Sequence, residues 1–172
     1  NMIKESILPF LNVLYNCKTF YGQASKNKNK KKIEDKWILS RLNSLIKKVT
    51  EDLEKYKIDE ALLSIMNFVV NDFSRTYIKM TRDREDTNEV LGGVLEKVSL
   101  LLAPYAPYIT EYIYKDFSKE SVHLSSWPKF DSKLINKKLE DNFSLILRVI
   151  EKGLYARDKA QIGLKWPLAK AK

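Results

Sequence analysis

The sequence predicts an all-α fold: a helical bundle of five to six helices followed by a short extended C-terminal tail. Three observations carry that prediction. Apolar residues recur at three- and four-residue spacings along nearly the whole chain. No alternating apolar–polar run is long enough to suggest a strand. Prolines and capping residues fall between the periodic segments, where the short turns of a bundle belong.

Residues 2–24 place Ile3, Ile7, Phe10, Leu14, Cys17 and Tyr21 on one helical face, with Pro9 predicting a kink or a late helix start. Lys26, Lys28, Lys30, Lys31 and Lys32 follow without an apolar neighbour and read as a solvated loop. Glu34 and Asp35 suit the positive end of a second helix, which buries Trp37, Ile38, Leu42, Leu45, Ile46, Val49 and Leu53. Asp59 is a good N-cap for a third. That helix buries Leu62, Ile65, Phe68, Val69, Phe73 and Tyr77 and runs to about Arg84.

Thr87 or Asn88 caps a fourth helix, built on Val90, Leu91, Val94, Leu95, Val98, Leu101 and Leu102. Its early pair Gly92-Gly93 either weakens it or permits close packing. Pro104 and Pro107 interrupt the pattern before a fifth helix carrying Tyr108, Ile109, Tyr112 and Ile113. Ser121–Pro128 reads as an extended connector. A last helix over about 132–157 aligns Leu139, Phe143, Ile146, Val149, Ile150 and Leu154. Residues 2–157 thus form the expected bundle, and 158–172 a basic tail leading toward a further domain.

Composition narrows the function. The chain is 44% hydrophobic and 31% charged, the balance of a folded protein with a real core. No stretch approaches the length of a membrane span, and nothing resembles a signal peptide. A single cysteine, Cys17, and a single histidine, His123, leave no internal disulfide and no plausible zinc site. A soluble cytoplasmic monomer is the expectation. Net charge is +9, carried by the Lys26–Lys32 run and by the segment from Arg157 onward. The rest of the chain balances to zero, so the excess is local, as a polyanion-binding face requires.

The search for catalytic chemistry comes back empty. No GxxxxGK[ST], GxGxxG, GxSxG or HExxH pattern occurs. Cys17 sits on an apolar face and reads as packed, and His123 stands alone. No catalytic residue, metal or cofactor is assigned to the segment itself.

Binding is a different matter. Arg75, Lys79 and Arg82 share one helical face, with Arg84 and Tyr77 close by. Guanidinium groups make bidentate phosphate contacts and stack on unpaired bases. Equally, these groups suit salt bridges with Asp72, Asp83, Glu85 or Asp86. In the tail, Lys165 beside Trp166 could hold a phosphate while the indole stacks a base, or Trp166 could anchor the tail in the bundle.

Several ordered segments resemble one family. Asp35-Lys36-Trp37-Ile38-Leu39-Ser40-Arg41-Leu42-Asn43 is similar to the D-[KR]-W-I-L-S-R-L-N run of class I aminoacyl-tRNA synthetases for isoleucine and valine. Phe73-Ser74-Arg75, Tyr77-Ile78 and Arg82-Asp83-Arg84 resemble their FSRWY…RDR segment. Leu102-Ala103-Pro104-Tyr105-Ala106-Pro107-Tyr108-Ile109-Thr110-Glu111 resembles their LAPFxPFxxE turn. Glu120-Ser121-Val122-His123-Leu124 with Trp127-Pro128 is similar to the stretch that marks isoleucyl enzymes. Ala156-Arg157-Asp158-Lys159-Ala160 and Leu164-Lys165-Trp166-Pro167-Leu168 resemble the end of archaeal-type isoleucyl enzymes. Thr76 departs from the family's usual Trp, Glu85-Asp86 from its Leu-Trp, and Lys165 from its Arg.

The resemblance implies the anticodon-binding bundle of an isoleucyl-tRNA synthetase. Its partners would be the anticodon stem-loop of isoleucine tRNA and the catalytic and C-terminal domains of the same chain. ATP and Mg²⁺ would serve the intact enzyme, whose HIGH and KMSKS signatures do not occur in this segment. The candidate RNA-binding residues are Arg75, Lys79, Arg82 and Arg84, then Arg41 and Asn43, then Lys165 and Trp166. A valyl or leucyl counterpart, or a non-catalytic helical scaffold for protein partners, remains the alternative.

Overall fold

The computed structural model describes residues 6–24, 31–163, 165 and 166, and among them all regular structure is helical. The chain divides into two compact units, Asn1–Ile135 and Asn136–Lys172.

In the first unit, α1 (Leu8–Gln23) carries Pro9 in its first turn, where no amide hydrogen is needed. The proline therefore marks a late start, and α1 buries Phe10, Leu14 and Cys17. Of the expected lysine loop, residues 26–30 lie outside the described residues. Helix α2 (Ile33–Glu54) opens with Glu34 and Asp35 in its first turn, and the Asp35 carboxylate accepts from the Lys32 amide at 2.8 Å. Its buried face includes Trp37, Ile38, Leu42, Leu45, Ile46 and Val49.

The third helix departs from the expected regular α-helix. α3 spans Ile58–Asn67, so Asp59 lies inside its first turn rather than capping it. From Phe68 to Ile78 the chain then widens into a π-helix, and α4 (Lys79–Thr81) closes the arm. Phe68 and Phe73, five apart, stack with ring centroids 6.5 Å apart and planes 4° from parallel. Phe73 and Tyr77 continue the stack at 6.3 Å. The wider turn keeps all three rings in the core, and Thr76 Oγ1 donates to the Asn71 carbonyl five residues back at 2.8 Å.

Helix α5 (Asn88–Leu102) is the most buried, with Leu91, Val94, Leu95, Val98, Leu101 and Leu102 sealed from solvent. Thr87 stands at its N-cap without a side-chain capping bond. Helix α6 (Pro107–Tyr114) starts on its proline and packs on α5. Beyond it, residues 121–135 run as a strap with two 3-10 turns, Val122–Leu124 and Ser132–Leu134. Val122 joins a buried cluster with Leu100, Ala103 and Tyr114.

The second unit is built on α7 (Lys137–Lys159), capped by Asn136, whose side chain accepts from the Leu139 amide at 3.0 Å. It starts five residues later than the periodicity suggests, because residues 132–134 form the 3-10 turn instead. Of its expected core face, Phe143 is buried while Ile146, Val149, Ile150 and Leu154 are exposed. Of the tail, residues 164 and 167–172 lie outside the described residues. No helix among the described residues is long and apolar enough to cross a membrane.

Candidate nucleic-acid interface

Three of the eight sequence-selected residues converge on one groove. The π-helix and α4 together bring Arg75, Lys79 and Arg82 opposite α1. The resulting groove, about 610 Å³, is lined by those three with Asn16, Cys17, Phe20, Ser74 and Ile78. A neighbouring hollow of about 410 Å³ is lined by Phe20, Gln23, Ala24 and the run Arg82–Glu85. Phe20 and Arg82 line both, so the two hollows adjoin at that ring and that guanidinium.

Among the described residues no carboxylate lines the groove itself, although Asp83 and Glu85 line the hollow beside it. Arg75 is exposed and donates through Nη1 to Asn71 Oδ1 at 3.3 Å, and Asn71 in turn donates to Asn67 Oδ1 at 2.6 Å. Lys79 and Arg82 are exposed and form no ion pair with any carboxylate among the described residues. Of the acids competing for these cations, Asp72 is taken by Arg41 and Asp86 by Arg84. The groove wall is apolar enough that burial, only partly offset by the Ser74 hydroxyl, pushes the Cys17 thiol up to about 11.

Arg84 is bonded within the protein. Its Nε donates to Asp86 at 2.8 Å, Nη1 to Glu34 at 2.8 Å and to Asp35 at 3.1 Å, and Nη2 to Asp35 at 2.8 Å. Tyr77 adds its hydroxyl to Asp35 at 2.7 Å. Asp35 is 2% exposed, and this web pins the α3–α4 arm to the first turn of α2. The Arg84 donors thus face protein carboxylates.

Arg41 and Asn43 are likewise turned inward. Arg41 donates through Nε and Nη2 to one oxygen of Asp72 at 3.0 and 2.8 Å. Asn43 is buried; its amide donates to the Leu39 carbonyl at 2.7 Å and its oxygen accepts from the Asp131 amide at 2.7 Å. It is an anchor for the strap. Trp127 adds a second, donating to Thr50 at 2.9 Å, and Phe130 lies beside Lys47. At the strap's start, Glu111 accepts from Ser121 Oγ at 2.9 Å and from the Val122 amide at 3.0 Å. Two segments that the sequence marks as distinctive, Leu102–Glu111 and Glu120–Pro128, are therefore bonded to each other.

Lys165 and Trp166 belong to the second unit and are both exposed. Asn16, Phe20 and Ser74 were not selected from the sequence. Phe20 had a usable signal: it is an aromatic off the Leu14–Cys17–Tyr21 face of its helix, where a core residue does not belong. Among the described residues no cluster of carboxylates, His or Cys could hold a metal ion, and no glycine loop cradles a triphosphate. The described residues therefore do not fit ATP or Mg²⁺.

Comparison with known proteins places the chain in a family. The family model described as the anticodon-binding domain of tRNA ligase matches residues 35–172. The isoleucine–tRNA ligase of Pyrococcus horikoshii is 40% identical over 152 residues, covering 80% of this chain and 14% of that protein. The isoleucine–tRNA ligase of Clostridium tetani is 34% identical over 194 residues, covering 97% of this chain and 19% of that protein. The chain thus spans less than a fifth of the length of these relatives. Among solved structures, the ternary complex of Agrobacterium radiobacter K84 agnB2 LeuRS with tRNA and LeuAMS superposes with a TM-score of 0.58. It covers 76% of this chain and 16% of that one at 24% identity, a likeness of fold.

Proposed function

Because the chain belongs to the anticodon-binding domain family of tRNA ligases, we propose that it holds the anticodon stem-loop of isoleucine tRNA for an isoleucine–tRNA ligase. The observation that carries this reading is the groove: three cations without an ion pair among the described residues, Arg75, Lys79 and Arg82, line it together with the Phe20 ring and the Asn16 amide. Phosphates fix the register of a bound strand through such cations, and an unstacked loop base offers its face to a ring and its edge to an amide. Arg84 and Arg41 brace the arm that carries the groove through Asp35 and Asp72, and Asn43 anchors the strap.

Isoleucine activation, with its ATP and Mg²⁺, falls to other parts of the enzyme, which acts in the cytoplasm as a monomer. The isoleucine assignment rests on the relatives and on the Glu120–Pro128 segment; a valyl or leucyl enzyme is the competing reading.

A competition titration at physiological salt tests the proposal. The isoleucine stem-loop should displace a bound probe at lower concentration than a scrambled loop, and lower than valine or leucine stem-loops. Equal competition by the scrambled loop overturns anticodon reading. Equal or better competition by a valine or leucine loop moves the assignment to that amino acid.

A further inference from the structure

The end of α7 is folded in a way the groove does not explain. Gln161 takes a left-handed backbone, φ 55°, and the Ile162 amide donates back to the Arg157 carbonyl at 3.0 Å. The Trp166 amide donates to the Gly163 carbonyl at 3.1 Å. Arg157 then closes the turn: its Nη2 donates to the Gly163 carbonyl and, at 2.7 Å, to the Trp166 carbonyl. The outcome is an indole that is 71% exposed, and Lys165, the residue before it, is exposed as well.

Large aromatic rings stabilise a fold by being covered. In this turn the guanidinium is spent on holding the backbone that displays the ring. A displayed ring with a cationic residue next to it in the chain can stack a base and hold its phosphate. An arrangement held before binding also avoids the entropy of ordering it at the moment of contact.

We propose that Arg157 is a positioning residue, which holds Trp166 and Lys165 as a preformed platform for one unpaired nucleotide of the bound RNA. The base stacks on the Trp166 ring and the flanking phosphate meets Lys165. This rests on the anticodon-binding reading and adds to it a second RNA contact carried by the other unit.

The test uses the full chain and isoleucine stem-loops carrying 2-aminopurine at one unpaired position at a time, whose fluorescence falls on stacking. One position should be quenched on binding. Trp166→Ala should abolish that quench and weaken binding about tenfold. It removes no hydrogen bond of the turn, because Arg157 grips the Trp166 backbone carbonyl. Arg157→Ala should abolish the quench as well, with binding weakened about fivefold through the ordering that must now accompany it. Gly163→Ala should keep both, since its Cβ would lie 3.6 Å from the Trp166 ring, an ordinary contact. If the wild-type chain prefers the isoleucine loop and Trp166→Ala changes neither quench nor affinity, the platform is wrong and the groove reading stands. If the quench survives Arg157→Ala, the positioning role is wrong. If the wild-type chain shows no preference for the isoleucine loop, both fall together.

Discussion

Arg84 reaches across 49 residues to Asp35 and closes two guanidinium–carboxylate hydrogen bonds, 3.1 Å from Nη1 and 2.8 Å from Nη2. The pair joins the end of the α3–α4 arm to the first turn of α2. Two residues before Arg84, Arg82 points into the groove. One short arginine-rich segment therefore supplies both a structural pin and a free cation, and the pin sets where the free cation stands.

Removing either member of the pin leaves the other charge in a largely desolvated site, with the Arg84 side chain 13% exposed and Asp35 2%. Losing one partner of such a pair costs about 3–5 kcal/mol. Arg84→Ala, which leaves Asp35 without a cation, should lower the urea-unfolding free energy by about that much, and Asp35→Ala by less, because Arg84 keeps Glu34 and Asp86. Arg82→Ala should move it by less than about 0.5 kcal/mol while weakening stem-loop binding. A stability loss for Arg82→Ala as large as that for Arg84→Ala would assign Arg82 to the fold and remove it from the RNA face.

The same pair fixes a pH dependence. Burial alone would raise the Asp35 carboxyl, but bonds from Arg84 and Tyr77 and from the Lys32 amide outweigh it and hold it below the ordinary 3.8. A group lowered on folding stabilises fully above its unfolded value and loses that contribution as pH falls through the folded one. Arg84 bonding lowers Asp86 in the same direction, and the Val122 amide and Ser121 hydroxyl lower Glu111. Unfolding free energy should be flat through neutrality and fall below about pH 4. Asp35→Asn should make that acid limb shallower in urea titrations run across the range; an unchanged slope would show that other carboxylates carry it.

Much of the bundle was legible because its signals are local. The apolar stripes of α2 and α5 and the prolines opening α1 and α6 act over three or four residues, and the sequence displays them directly. The π-helix was not legible. Its stack of Phe68, Phe73 and Tyr77 fits an α-helical stripe nearly as well, and only packing against α1 and α2 selects the wider turn. The candidate groove was half legible. Spacing put Arg75, Lys79 and Arg82 on one face, but nothing local reveals that Asp35 waits 49 residues from Arg84, or that the Asp131 amide waits 88 from Asn43. Which cation is free is decided by the acids that folding delivers to its neighbours.

Cys17 offers a direct probe of the groove wall. Its thiol is 2% exposed and is pushed up to about 11, so at pH 8 almost none of it is the reactive thiolate. A disulfide reagent should label the folded chain far more slowly than the urea-unfolded chain, and the folded rate should keep rising with pH beyond 9. Rapid stoichiometric labelling at pH 8 in the absence of denaturant would mean that the groove is open down to the α1 face.

Adjacent glycines in α5 should respond to alanine in opposite senses. A Cβ on Gly93 meets nothing within 4 Å, so Gly93→Ala collects the helix preference of alanine, about 0.8–1 kcal/mol, without a steric cost. A Cβ on Gly92 would lie 3.0 Å from Tyr21 Cε2 and 3.2 Å from its hydroxyl oxygen. Tyr21 has little room to retreat, because its ring packs on Phe117 with centroids 5.3 Å apart. The same helix preference is therefore opposed by overpacking of about 1–3 kcal/mol, and the overpacking prevails. Gly92→Ala should lower the urea midpoint and Gly93→Ala should raise it. Because Tyr21 sits one residue beyond Phe20 on α1, displacing it should also disturb the Phe20 wall of the groove. Gly92→Ala should then weaken stem-loop binding while Gly93→Ala leaves it unchanged. Equal midpoints for the two variants would show that α1 and α5 are not held together at this contact.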